Sequence, residues 1–146
     1  MKILLFGHIY QGSRLERVHH VLQVLSRTGA ELAAHCDFYE FLSKELPDVC
    51  RGIESLDRWD DYEADMALSI GGDGTFLRAA EKIGARGIPV LGVNIGRLGF
   101  LADVRAEETE SVFSEIMKGQ YKIEERSLLQ AEFDGLPEDF WPYALN

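Results

Sequence analysis

Ile70-Gly71-Gly72-Asp73-Gly74-Thr75 is the segment from which the architecture of this chain can be inferred. An apolar run, Met66 to Ile70, precedes it, and a helix-like run, Phe76 to Gly84, follows it. A short apolar run bounded by glycines is typical of a buried parallel strand. Glycines adopt dihedral angles that a β-carbon forbids, and the free amides of a following helix attract phosphate. The segment therefore predicts a strand, a tight phosphate-sized turn and a helix.

Asp73 is the unexpected member of this turn, because a carboxylate repels phosphate. Its presence makes chemical sense if it accepts a proton, or if it holds a cation that bridges to phosphate. The alternative is that Asp73 or Thr75 caps the first amides of the helix. Glycines on both sides are more than capping needs, which favours the functional interpretation.

Strand-like and helix-like patterns alternate through the first 120 residues. Strands are predicted at 2–7, 31–36, 66–70 and 88–93, and helices at 14–27, 38–46, 76–84 and 106–118, with Ser13 as an N-cap. Residues 48–65 carry an acidic cluster and are predicted to form a solvated loop. This alternation predicts an α/β fold with a doubly wound, mostly parallel sheet.

The loop after the first predicted strand, residues 7–14, has the two-glycine frame of a Walker A loop. Ser13 stands where the phosphate-binding lysine of that motif belongs, so the segment is not an ATP P-loop. We interpret it as a loop at the ligand-binding edge of the sheet, where open α/β sheets bind their ligands.

Composition excludes several classes of protein. The 146 residues carry a net charge of −10, which argues against a nucleic-acid binder. Cys36 and Cys50 lack metal-ligand spacing and are interpreted as reduced thiols of a cytoplasmic protein. The four apolar residues after Lys2 are too few for a signal peptide, and no apolar run approaches the length of a membrane span.

A second motif is Asn94-Ile95-Gly96-Arg97-Leu98-Gly99-Phe100-Leu101. It resembles the Asn-x-Gly-x-x-Gly-Phe-Leu pattern of NAD kinases, whose first motif is Gly-Gly-Asp-Gly-Thr. The first motif also occurs in diacylglycerol and sphingosine kinases, and 6-phosphofructokinases carry a close variant. The second motif separates NAD kinases from these relatives, since the Gly-Thr-x-Asn-Asp-type loop of diacylglycerol kinases is absent here. The chain resembles roughly the first half of an NAD kinase.

The resemblance implies transfer of the terminal phosphoryl group of ATP, or of polyphosphate, to the adenosine ribose 2′-hydroxyl of NAD, which makes NADP. It implies Asp73 as the catalytic base and Mg²⁺ that arrives with ATP rather than in a protein metal site. Arg78 is either a phosphate contact or a surface cation, and Phe100 either packs in the core or faces a nucleotide ring. Asn146 resembles the first member of the family's ribose-binding Asn-Glu or Asn-Asp pair. The implied substrate- and nucleotide-binding residues are Gly71, Gly72, Asp73, Gly74, Thr75, Arg78, Asn94, Phe100 and Asn146.

The resemblance also divides the chain. Residues 1–120 are expected to form the nucleotide-binding domain, and residues 121–146 the beginning of an all-β domain that is cut short. In full length the family forms dimers and tetramers, so a homo-oligomer is expected. Two alternatives stay open: another Gly-Gly-Asp-Gly-Thr kinase that acts on a lipid or sugar, and a noncatalytic nucleotide-binding module.

Overall fold

The computed structural model describes residues 1–58, 62–97, 99–132, 135 and 143–145. Eight strands occur in this part of the chain: β1 (Lys2–Phe6), β2 (Glu31–His35), β3 (Ile53–Leu56), β4 (Met66–Gly71), β5 (Val90–Asn94), β6 (Val104–Arg105), β7 (Leu128–Gln130) and β8 (Tyr143–Leu145). The α-helices are α1 (Ser13–Ser26), α2 (Cys36–Glu45), α3 (Pro47–Cys50), α4 (Asp73–Ile83) and α5 (Thr109–Met117). Two 3₁₀ turns lie at Gly84–Arg86 and Ala106–Glu108.

The main sheet has six parallel strands in the order β3-β2-β1-β4-β5-β6. From β1 the chain winds outward through β2 to β3, and it then returns to β4 beside β1 and winds the other way. The strand order therefore reverses between β1 and β4. In open α/β sheets, ligands bind in the crevice at the carboxyl ends of the strands where this reversal occurs. The loops after β1 and β4 border that crevice.

The core lies on both faces of the sheet. On one face, α1 packs with α3 and α5 over buried strand residues such as Leu5, Ile70 and Val93. On the other face, α4 packs against β4 and β5. Gly92 makes this second contact possible, because a Cβ there would lie 2.9 Å from a ring carbon of Phe76 on α4. The doubly wound α/β fold predicted from the sequence is confirmed.

Several predicted boundaries need correction. Residues 48–65 are not one loop, since they contain β3 and most of α3. Helix α4 begins at Asp73 rather than at Phe76, and Gly72 occupies its N-cap position. Ser13 is the first residue of α1, and Gly12 stands at the N-cap with a φ of 59° that favours glycine.

After α5 the chain leaves the main sheet. β7 and β8 pair with each other in an antiparallel two-stranded sheet, which agrees with the change of pattern predicted after residue 120. Leu128 and Leu129 of β7 are exposed. The aromatic residues Trp59, Phe133, Phe140 and Trp141 lie outside the described residues. No helix in the described part of the chain is long and apolar enough to cross a bilayer.

Candidate active site

The two sequence motifs meet at the carboxyl edge of the sheet. β4 and β5 are neighbours, and Gly71 at the end of β4 lies in register with Asn94 at the end of β5. The Ile95 amide donates a hydrogen bond of 3.1 Å to the Gly71 carbonyl oxygen. Parallel pairing thus brings two loops that are more than twenty residues apart in sequence into one site.

Asp73 joins these loops through its side chain. Its Oδ2 accepts a hydrogen bond from the Phe100 amide at 2.9 Å, and its Oδ1 accepts from Leu101 at 3.0 Å and from Ala102 at 3.2 Å. These three donated hydrogen bonds hold the pKa of the Asp73 carboxyl below its usual value, and slight desolvation opposes the shift. Asp73 is therefore an ionised group at neutral pH, held in one orientation.

The capping alternative for Asp73 and Thr75 receives no support from the geometry. No side chain of the described residues caps α4, and the Asp73 carboxylate instead binds amides of the second motif. The first amides of a helix lack intrahelical acceptors; at the start of α4 the Thr75 amide donates to the Gly72 carbonyl oxygen, and the amides of Asp73 and Gly74 before it have no side-chain cap. Thr75 packs under the turn, and a Cβ on Gly71 would overlap its hydroxyl oxygen.

Asn94 organises the second loop from within. Its side chain is buried, and its Nδ2 donates to the carbonyl oxygens of Arg97 at 2.8 Å and Ala102 at 3.2 Å. Its Oδ1 accepts from the Gly96 amide at 2.8 Å. Both amide hydrogens are used inside the loop, so Asn94 fixes the loop's shape.

Phe100 and Arg78 both lie at the surface of the site. The Phe100 side chain is 96% exposed although its amide is tied to Asp73, so the alternative in which it packs in the core is wrong. Arg78 is exposed, on the second turn of α4. Asn146 lies outside the described residues.

Two site residues were not predicted from the sequence. The Tyr10 hydroxyl, buried in the loop after β1, donates a hydrogen bond of 2.6 Å to the Ile70 carbonyl oxygen at the end of β4. Arg17 on α1 donates from Nη1 to the Ile95 carbonyl oxygen at 2.9 Å. The loop after β1 thus supports the first motif, and α1 supports the second. The sequence signal that could have identified Tyr10 was its position inside the Walker-like loop, residues 7–14.

A group of possible metal donors lies elsewhere, at the start of α2. Ligand atoms of His35, Cys36 and Asp37 lie within 4.8 Å of one another. The His35 Nδ1 atom accepts the Asp37 amide at 3.3 Å and so serves as the N-cap of α2. Capping accounts for this histidine, and the group does not include Cys50.

Comparison with known proteins agrees with this geometry. The ATP-NAD kinase N-terminal domain family matches residues 3–121, which include both motifs and, except for Lys2, the whole parallel sheet. The chain belongs to this family. The family match ends at residue 121, a few residues after α5.

Curated relatives extend the match to the whole chain. NAD kinase of Bacteroides fragilis is 42% identical over 146 residues, which are 100% of this chain and 50% of the relative. NAD kinase of Porphyromonas gingivalis is 38% identical over 148 residues, covering 99% of this chain and 49% of the relative. The chain therefore spans about half the length of the curated relatives it matches.

The fold also matches a solved structure. Yeast NADH kinase, crystallised in complex with NADH, superposes with a TM-score of 0.72 over 99% of this chain and 45% of the yeast chain. The sequence identity is 21%, so this match shows the fold alone.

Proposed function

We propose that the protein carrying this chain is an NAD kinase, which transfers a phosphoryl group from ATP or polyphosphate to the adenosine ribose 2′-hydroxyl of NAD. One observation carries the proposal beyond family membership: the Asp73 carboxylate binds two amides of the second motif, those of Phe100 and Leu101, and the amide of Ala102 directly after it. The two motifs therefore form one site at the reversal of strand order. A kinase for a lipid or a sugar, which would lack the second motif, does not need this arrangement.

Asp73 is the proposed acceptor of the hydroxyl proton. A carboxylate has about four acceptor positions, and the three amides leave room for one more donor. The ribose hydroxyl takes that position in the proposal, which orients its oxygen toward the transferred phosphorus. The lowered pKa makes Asp73 a weak base, and this suffices because phosphoryl transfer depends mainly on positioning and charge neutralisation.

The remaining site residues bind substrate in the proposal. Gly71, Gly72 and Gly74 let phosphate approach the uncapped first amides of α4, where anions bind. Phe100 presents an exposed ring on which a nucleotide base can stack. Asn94 and Thr75 fix the shapes of the two loops.

The donor atoms around Asp73 do not suit a resident divalent cation. Mg²⁺ prefers several oxygen ligands in octahedral geometry, whereas Asp73 brings one carboxylate that is already bound by three amides. We therefore assign any Mg²⁺ to the nucleotide substrate, as part of Mg-ATP, and derive no step from a protein-bound ion.

We also propose that residues 1–120 are the nucleotide-binding domain and that residues 121–146 begin a second domain. The break of pattern after α5 and the separate β7–β8 pair support this division. Asn146 would then contribute to the ribose site together with residues that follow it. A homo-oligomer in the cytoplasm is proposed from the family resemblance, and the free thiols of Cys36 and Cys50 suit a reducing compartment.

The test is an assay of NADP formation from NAD with ATP or polyphosphate as donor. The full-length protein is compared with the 146-residue chain, and a diacylglycerol and a hexose phosphate replace NAD in parallel reactions. We expect NADP from the full-length protein only. Phosphorylation of the lipid or the sugar in place of NAD would overturn the proposal, as would nucleotide binding without any turnover.

A further inference from the structure

The loop after β1 and helix α1 form the second side of the crevice, and the reaction proposed above assigns no substrate contact to either of them. Residues Ile9–Arg14 line a cavity of about 470 Å³. Tyr10 anchors the loop to the end of β4 through the Ile70 carbonyl oxygen. The cavity therefore lies beside the Gly71–Gly74 turn, at the reversal of strand order.

Arg14 projects from the first turn of α1 across the second motif. An ideal Cβ built on Gly96 would lie 4.0 Å from the Arg14 Nε atom. Its guanidinium also lies near the Tyr10 hydroxyl. Burial raises the pKa of this hydroxyl, while hydrogen bonds with the Thr75 side chain and the His8 backbone, and after them the positive charges of Arg14 and Arg78, oppose the rise. Both Arg14 from α1 and Arg78 from α4 therefore act electrostatically on the Tyr10 hydroxyl, although they come from helices on opposite faces of the sheet.

These two arginines differ from Arg17 and Arg105 in having no acidic partner among the described residues. Arg17 lies 3.7 Å from Glu107, and Arg105 lies 2.6 Å from Glu108. Among the described residues, neither Arg14 nor Arg78 forms an ion pair. The chain has 25 acidic and only 15 basic residues, so two exposed, unpaired arginines at one crevice are a local reversal of the overall charge.

We propose that Arg14 and Arg78 form a clamp for a phosphoanhydride group, with Arg14 a binding residue contributed by the first turn of α1. This inference rests on the proposed function and assigns the phosphate-binding side of its site. Guanidinium groups bind phosphate through two parallel hydrogen bonds. A chain of two or three phosphates offers separate oxygen atoms to the two guanidinium groups and to the amides of the Gly71–Gly74 turn. Ser13 stands where a P-loop would have its lysine, and Arg14, the next residue, supplies the positive charge that Ser13 lacks.

Two sources can supply this group, the triphosphate of ATP and the pyrophosphate of NAD. Inorganic tripolyphosphate is the first probe, since it carries the group without a base or a ribose. Its affinity for the full-length protein is measured by titration calorimetry for wild type, Arg14→Gln and Arg27→Gln. Arg27 is the matched control because it is an arginine at the other end of α1, about 20 Å away at 1.5 Å per residue.

We expect Arg14→Gln to weaken tripolyphosphate binding by about 10-fold or more, the usual effect of losing a charged hydrogen bond. Arg27→Gln should stay within about 2-fold of wild type. Arg14→Lys should lie between the two, because it keeps the charge and loses the paired geometry. Equal weakening by Arg14→Gln and Arg27→Gln would mean that only the net charge of the protein matters, and it would overturn the clamp. The clamp would also be overturned if Arg14→Gln did not weaken binding, or if the wild-type protein did not bind tripolyphosphate.

Titrations with ATP and with NAD then identify the source. A loss with Arg14→Gln in the ATP titration alone assigns the clamp to the phosphoryl donor, and a loss in the NAD titration alone assigns it to the acceptor. Binding of tripolyphosphate needs no turnover, so the two proposals fail separately. If Arg14→Gln loses tripolyphosphate binding but the wild-type protein forms no NADP, the clamp is supported and the kinase activity is rejected. If Arg14→Gln binds tripolyphosphate as wild type does and the wild-type protein forms NADP, the clamp is rejected and the kinase activity is supported.

Discussion

Gly99 lies directly against the carboxylate of Asp73. A Cβ built on Gly99 would overlap both carboxylate oxygens of Asp73. The φ of Gly99 is not in the positive region that favours glycine, so the reason for glycine here is space alone. The second motif needs a residue without a side chain at this position so that the three following amides can reach Asp73.

This relationship predicts the effect of Gly99→Ala. The added methyl group forces the loop and the carboxylate apart, which breaks the hydrogen bonds to residues 100–102 and misplaces Asp73. Because misplacement by about 1 Å can cost on the order of 10²-fold in rate, we expect a loss of that size in kcat for NADP formation. Hydrogen exchange of the amides of residues 100–102 should become faster.

Gly52→Ala is the control for this substitution. Gly52 is exposed, its Cβ would meet no atom within 4 Å, and its φ is not positive. We expect unchanged kcat and unchanged exchange at residues 100–102. If Gly99→Ala behaved like Gly52→Ala, the contact between Gly99 and Asp73 would not matter to the site.

Asp73→Asn tests the carboxylate itself. An asparagine amide has one acceptor oxygen, so its NH₂ group must face either the Phe100 amide or the amides of Leu101 and Ala102. We expect kcat to fall by roughly 10²–10⁴, the range for a positioned acid–base group, while NAD binding stays within a few-fold. Steady-state kinetics beside an NAD titration decides. Near-normal turnover would show that Asp73 serves only to hold the loop.

The same hydrogen bonds predict a response to acid. The pKa of Asp73 is lowered from 3.8 by the Phe100, Leu101 and Ala102 amides, so the carboxylate contributes stability above pH 3.8 that is lost as the pH falls through the lower folded value. In an NMR titration, the amide resonances of residues 100–102 should shift together with a common midpoint below 3.8. Asp73→Asn should abolish that shared transition, and a midpoint above 3.8 would contradict the hydrogen-bonded arrangement.

Local sequence was enough to predict β4, α4 and the turn between them, since each carries its own signal. It was not enough for β3 or β6. The four residues of β3 include only two apolar ones, Ile53 and Leu56, and β6 has two residues in all. These segments are strands because β2 and β5 offer parallel pairing partners. Such partners do not appear as periodicity in the sequence.

The candidate site was also only partly predictable from the sequence. The motif marks Asp73 as unusual, because a carboxylate among phosphate-binding glycines needs an explanation. Its partners could not be predicted, because every residue except proline has the same backbone N–H group, and the sequence does not show which of them a fold will aim at a carboxylate. The roles of Tyr10 and Arg17 depend on the same long-range pairing, since each contacts a strand or loop at least sixty positions away.

Gly92→Ala tests the packing of α4 on the sheet. A Cβ on Gly92 would lie 2.7 Å from the Ala102 Cα atom and 2.9 Å from a Phe76 ring carbon. Because the nearer atom belongs to the backbone, a rotamer change of Phe76 cannot relieve the overlap. We expect the free energy of unfolding to fall by about 1–3 kcal/mol, as for overpacked cores, in urea denaturation. Gly52→Ala should not be destabilised, and equal stability of the two variants would contradict the packing.

Tyr10→Phe tests the connection between the loop after β1 and the first motif. The substitution removes the hydroxyl that donates to the Ile70 carbonyl oxygen at 2.6 Å and keeps the buried ring. We expect a loss of about 1 kcal/mol in unfolding free energy, typical of one hydrogen bond. Because this bond also holds the loop that leads into α1 and its first-turn residue Arg14, affinity for tripolyphosphate should fall as well, although the arginine itself is unchanged. Tyr121→Phe is the control, since Tyr121 is exposed and its hydroxyl makes no hydrogen bond within the described part of the chain. Lower stability with unchanged tripolyphosphate affinity would mean that the loop keeps its place without Tyr10.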